Sequence, residues 1–164
     1  MKRLLTSCFG LGWLPLAPGT WGSLPPAIIF GLMCQVGASA GLIMIVMAAM
    51  ALAGSAVCLK FAPAIIAASG TADPRQIVAD EIAGQAITFL AIAFTAVGTL
   101  SAKQIWVTAV LGFLLFRVFD IAKFWPIHRL EKLPEGWGVL ADDLMAGVYA
   151  AIVLVICLRL WIAR

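Results

Sequence analysis

Between Leu4 and Leu59 the chain carries no aspartate, glutamate, lysine or arginine. The apolar part of this run, 24–59, would extend about 54 Å as one helix, far beyond a hydrocarbon core of about 30 Å. Gly37-Ala38-Ser39-Ala40-Gly41 stands in its middle and suits a turn. The sequence therefore predicts a helical hairpin, about 24–36 and then 40–60. The first helix is short for a span and is expected to be tilted, partly interfacial or re-entrant. Composition supports the membrane reading. Of 164 residues 63% are hydrophobic and 12% charged, against roughly 25% charged in an average soluble domain. A soluble domain this small leaves too much surface exposed to hide the excess.

Three further apolar segments follow, at Glu81 to about Thr99, about Gln104 to Ile121, and about Ala141 to Trp161. The predicted fold is all-α: one domain over 1–164, a polytopic membrane bundle of about four to five helices. The prolines are expected in loops or first helical turns. Met1-Lys2-Arg3 and the leucines after it resemble a secretory leader. Gly10, Gly12, Pro15, Pro18 and Gly19 break the apolar stretch, so it reads as mature chain.

Net charge is +3, too mild and too dispersed for nucleic-acid binding. With five spans, Lys2, Arg3, Lys60, Arg75, Arg117, Lys123, Arg129 and Lys132 fall on one side. Lys103, Arg159 and Arg164 fall on the other. The positive-inside bias directs the first side to the cytoplasm. Cys8, Cys34, Cys58 and Cys157 form no CxxC pair and read as small packing residues. His128, the lone histidine, reads as a polar interfacial residue rather than an acid–base catalyst.

The acidic residues gather at 73–81 and 120–143, on that same side. Asp80 and Glu81 open the third segment, with Gln85 one turn deeper. Helix capping accounts for acids at such a position, but two acids and a glutamine exceed what a cap needs. Arg117, Asp120 and Lys123 recur every three residues at the end of the fourth segment. Asp120 there opposes the helix dipole and needs a positive partner. Asp142 and Asp143 open the fifth segment, where capping is again the ordinary explanation. Together the carboxylates form an oxygen-only donor set of the kind Mg²⁺ or Mn²⁺ takes. Arg117 and Lys123 can hold a phosphate. Gly84 and Gly147 leave room for close helix packing. A further element, Pro15 to Ser23, is rich in glycine and proline. Ser23 can cap the first helix, with Pro25 and Pro26 in its first turn. Such a helix start can bind an anion. Thr20, Ser23 and Gln85 thus join Arg117 and Lys123 as candidate phosphate-binding residues.

No cysteine-phosphatase loop and no Asp-x-Asp pair occurs. One histidine cannot serve a two-histidine phosphatase site. The motifs Ala17-Pro18-Gly19-Thr20-Trp21-Gly22-Ser23, Asp80-Glu81-Ile82-Ala83-Gly84-Gln85, Phe116 to Lys123 with Trp125-Pro126-Ile127, and Asp142-Asp143-Leu144-Met145-Ala146-Gly147 come in order along the chain. In these the sequence resembles the phosphatidylglycerophosphatase A family of bacterial membrane lipid phosphatases. Phe124, His128 and the 135–140 stretch depart from the family pattern. The resemblance implies Mg²⁺-dependent hydrolysis of phosphatidylglycerophosphate to phosphatidylglycerol and phosphate, in phospholipid biosynthesis at the bacterial inner membrane. It implies Asp80, Glu81, Asp120, Asp142 and Asp143 as the catalytic and metal-binding acids. The alternative from another class is a small cation-binding membrane protein or transporter, which would carry its acids near mid-span.

Overall fold

A computed structural model of the chain describes residues 2–71, 74–93, 100–134 and 136–162. Among them every regular element is helical. The order is α1 (Lys2–Thr6), a short 3-10 turn (Leu11–Trp13), α2 (Pro18–Gln35), α3 (Ala40–Ser69), α4 (Ala79–Ala93), α5 (Ala102–Ala122), α6 (Ile127–Leu130) and α7 (Gly136–Ile162). α3, α5 and α7 are long and apolar enough to cross a membrane by length and composition. The chain is a helical membrane protein. α4 has 15 described residues, too few to cross a hydrocarbon core alone. The end expected for that segment, near Thr99, lies outside the described residues, as do Asp73 and Glu135.

Helix ends follow local chemistry in two places. Ser39 caps α3, its side chain accepting from the Leu42 amide at 3.2 Å. Ser101 and Gln104 form a capping box at the start of α5. Elsewhere the structure corrects the sequence reading. α2 begins at Pro18, so Ser23 does not cap it. Ser23 lies inside the helix and donates to the Gly19 carbonyl at 2.7 Å. Pro18 takes the first helical position, which its missing N–H and fixed φ favour. Pro25, Pro26 and Pro63 stand inside helices rather than in loops or first turns. α7 starts at Gly136, so Asp142 and Asp143 are well inside it and cap nothing.

α4 is the central helix and packs most extensively on α7 and α3. Its apolar half enters a core where Phe30 of α2 stacks on Phe89 at 4.6 Å between ring centroids, among Ile43, Met47, Ile92 and Leu154. Its polar half approaches α7 backbone to backbone. A Cβ on Gly147 would collide with the Gly84 carbonyl, and one on Gly84 with the Asp143 carbonyl. Thr88 Oγ lies 3.3 Å from the Gly147 carbonyl and donates across the same contact. Small residues that let membrane helices touch in this way are a common means of association where no hydrophobic drive acts between helices.

This contact leads to a prediction. Gly147→Val should destabilise the detergent-solubilised protein by at least about 2 kcal/mol, since only backbone could move aside. The check is the unfolding midpoint against the parent protein; an unchanged midpoint would refute the contact.

Candidate active site

Asp80 and Glu81 lie in the first turn of α4, where the helix dipole favours negative charge. Asp80 is 3% exposed, and one of its carboxylate oxygens accepts from the Glu81 amide at 3.0 Å. Asp143 faces them from α7 and is 4% exposed. One oxygen from each of Asp80, Glu81 and Asp143 lies within 4.8 Å of the others. The second Glu81 oxygen, Oε2, is buried without a hydrogen-bond partner. Three carboxylates so close repel unless positive charge stands between them. The set is all oxygen, it converges, and it includes an unsatisfied buried acceptor. It fits a hard divalent cation such as Mg²⁺.

Cations hold the neighbouring acids. Arg117 pairs with Asp120 at 2.6 Å, one turn apart on α5. Its Nη1 also donates to Ser23 Oγ at 3.5 Å, so Ser23 orients the guanidinium from α2. A Cβ on Gly19 would strike Glu81 Oε1, and the Arg117 Nη1 would lie 3.0 Å from it. That glycine lets the α2 backbone close over both side chains. Lys123 leaves the expected stripe because it ends α5 in a left-handed conformation, φ 43°. Its ammonium instead meets Asp142 at 2.9 Å and Glu131 at 3.0 Å. Burial alone would lower the Lys123 pKa; the hydrogen bonds and charges of Asp142 and Glu131 outweigh it and raise the pKa above that of an ordinary lysine.

These groups surround one polar cavity of about 530 Å³. Asp80, Glu81, Asp120, Asp142, Asp143, Arg117 and Lys123 all line it, with Pro18 and Gly19 from α2. Three residues expected at a phosphate do not line it. Thr20 and Ser23 sit on α2 outside the wall. Gln85 is fully buried one turn below, its amide donating to the Gly112 carbonyl of α5 at 3.5 Å. His128 is exposed and also stands apart. The sequence reading missed Arg75, which lines the cavity and makes no ion pair among the described residues. In the sequence it reads only as a loop charge. Its place five residues before Asp80, on the same short connection, was the available clue.

A polar, cation-rimmed carboxylate cavity at one end of a membrane bundle suits a phosphorylated headgroup, and the comparisons with known proteins agree. The sequence model of the family described as phosphatidylglycerophosphatase A matches residues 4–158. The chain belongs to the phosphatidylglycerophosphatase A family. It is a phosphatase. A phosphatidylglycerophosphatase A from Haemophilus influenzae is 37% identical over 160 residues, covering 97% of this chain and 89% of the relative. One from Escherichia coli is 31% identical over 161 residues, covering 91% and 78%. A protein from Bacteroides thetaiotaomicron described as a putative phosphatidylinositol-3-phosphatase is 31% identical over 159 residues, covering 93% and 91%. No solved structure matches.

If Arg75 meets the anionic headgroup, Arg75→Gln should raise the inhibition constant of inorganic phosphate about fivefold. That is a charge-assisted hydrogen bond weakened by solvent exposure. Competition kinetics measure it, and an unchanged constant would remove Arg75 from the site.

Proposed function

We propose that this phosphatase removes the terminal phosphate of phosphatidylglycerophosphate, giving phosphatidylglycerol and inorganic phosphate. The reaction would be Mg²⁺-dependent and belong to phospholipid biosynthesis. The observation that carries the reading is the convergence of Asp80, Glu81 and Asp143 beside Arg117 and Lys123 in one cavity. Family membership over most of the chain narrows the substrate. Two of the relatives bear the name of this activity.

Asp80, Glu81 and Asp143 would hold Mg²⁺. When bound, the ion supplies positive charge and Lewis acidity at the phosphoryl group. The rest falls to the chain's own residues. Arg117 and Lys123 offset charge on the phosphoryl oxygens. Asp120 and Ser23 fix the Arg117 fork, and Asp142 and Glu131 keep Lys123 charged and aimed. Water is our choice of nucleophile. Among the described residues, no serine, threonine, cysteine, histidine or tyrosine lines the cavity. Water adds to phosphorus, the bond from phosphorus to the glycerol oxygen breaks, and that oxygen leaves as the alcohol after taking a proton.

The location we infer is the bacterial inner membrane with the cavity facing the cytoplasm. Lys60, Arg75, Arg129 and Lys132 lie toward the cavity end of the sequence pattern, whereas Lys103 begins α5 at the opposite end. The positive-inside bias supports that orientation.

Phosphate release from phosphatidylglycerophosphate by the purified protein is the test, with phosphatidic acid as the single-phosphate comparison. Release should need Mg²⁺ and stop with EDTA. Asp80→Asn and Asp143→Asn should each lower kcat by about a thousandfold or more. Activity that survives EDTA or both substitutions would overturn the mechanism.

A further inference from the structure

We propose that the apolar groove beside the polar cavity holds an acyl chain of the lipid substrate. The inference rests on the lipid-phosphatase reading above. The groove has a volume of about 350 Å³. Phe9 and Leu11 of the N-terminal segment, Ala53 and Val57 of α3, and Ala79 and Ile82 of α4 form its walls.

Two walls are shared with the cavity. Along α4, Ala79 and Ile82 line the groove while Asp80 and Glu81, between them in sequence, line the cavity. Along the N-terminal segment, Phe9 and Leu11 line the groove while Gly12 and Leu14 line the cavity. One helical turn and one loop thus form a thin partition between a polar and an apolar space. The partition is anchored: the Val78 amide donates to the Thr6 carbonyl at 2.9 Å, and Gly12 lies hard against the Gln76 backbone. It is also bent against ordinary preference. Cys8 and Phe9, neither of them glycine, both adopt left-handed conformations, φ 46° and 58°. Backbone of that kind persists where the surrounding structure imposes it, and it gathers at binding sites. The bend leaves Phe9 82% exposed beside the groove.

Two other apolar grooves lack this placement. The groove between α4 and α7 begins at Ile87, about 9 Å along the helix from Glu81 at 1.5 Å per residue. That between α2 and α5 begins at Leu24, about 7 to 8 Å along from Gly19. Neither shares a wall residue's immediate neighbour with the carboxylates. In phosphatidylglycerophosphate a glycerol, a second phosphate and the acyl-bearing glycerol separate the terminal phosphate from the acyl chains, a length that passes round the edge of the partition. Of the three apolar grooves, this is the one whose wall residues are immediate sequence neighbours of the cavity carboxylates.

The test uses the full chain in mixed micelles, with phosphatidylglycerophosphate carrying either long or dihexanoyl chains. Ala53→Phe fills the groove from an exposed position on α3. Val148→Phe fills the α4–α7 groove as a control. Ala53→Phe should raise KM for the long-chain lipid on the order of tenfold. Its kcat and its KM for the dihexanoyl lipid should stay within about twofold of the parent, and Val148→Phe should change neither. Equal effects on both lipids, no effect, or an equal effect of Val148→Phe would overturn the proposal. A second measurement does not depend on turnover or on either variant. A lipid with a photoreactive group on one acyl chain should label peptides covering 5–11 and 50–57 of the parent protein. Label confined to 148–156 would overturn the proposal. A parent protein that labels at the groove but releases no phosphate would instead sink the substrate assignment.

Discussion

The site depends on one backbone contact, where Gly84 of α4 meets Gly147 of α7 without an intervening side chain. Both glycines lie one turn beyond an acidic pair. Closing the helices to backbone distance therefore brings Asp80, Glu81 and Asp143 to within 4.8 Å of one another. A larger residue at either position would separate the carboxylates by about its own width. The same glycines that permit packing in an apolar solvent thus also set the donor geometry. The repulsion among the acids works against the contact, and the buried packing of Phe89, Ile92 and Leu154 further along the helices works for it. The acids are held together from below.

Cations divide the acids into two kinds. Asp120 and Asp142 are each engaged, by Arg117 and Lys123. Glu81 and Asp143 have no such ion pair among the described residues, and Asp80 converges on them. The engaged pairs hold the two cations at the cavity wall, available to an anion. The other three leave a negative pocket available to a cation. A phosphate accompanied by a divalent cation would complete both halves, and neither half is complete alone.

Much of this was legible in the sequence, for identifiable reasons. A long charge-free run leaves few options in lipid, so helices and their approximate ends could be read from charge and glycine alone. Acidic residues at Asp80, Glu81, Asp120, Asp142 and Asp143 are conspicuous in a chain with so little charge, and the structure places all five in one cavity. Where the reading failed, the deciding fact was tertiary. The 15–23 segment looked like a loop because it is rich in glycine and proline, yet α2 starts at Pro18, packed against α4 and α5. Asp142 looked like a cap because apolar sequence begins after it, yet the helix starts at Gly136. Gln85 looked like a ligand because it sits one turn from Glu81, but that turn carries it below the cavity floor. Arg75 reads as a loop cation whose nearness to Asp80 in sequence is only a hint, and it is the fold that brings its side chain to the cavity wall.

The three helices that carry acids at the cavity treat negative charge differently. Asp80 and Glu81 sit at the start of α4, where the dipole favours anions. Asp120 sits at the end of α5, where the dipole disfavours them, and there the structure supplies Arg117 on the same helix, with Ser23 to hold it. Asp142 and Asp143 lie within α7 and gain little from either end, since the dipole effect fades beyond the first or last turn. Their compensation must come from other elements. Asp142 draws it from Lys123, which reaches it because the left-handed residue at the end of α5 turns the side chain toward α7. Asp143 has only the space it shares with Asp80 and Glu81. Of the five acids it is the one whose burial most requires a positive occupant of the cavity. A buried carboxylate without an ion pair, a cap or a helix start is costly to keep, and Asp143 is buried with its carboxylate converging on those of Asp80 and Glu81.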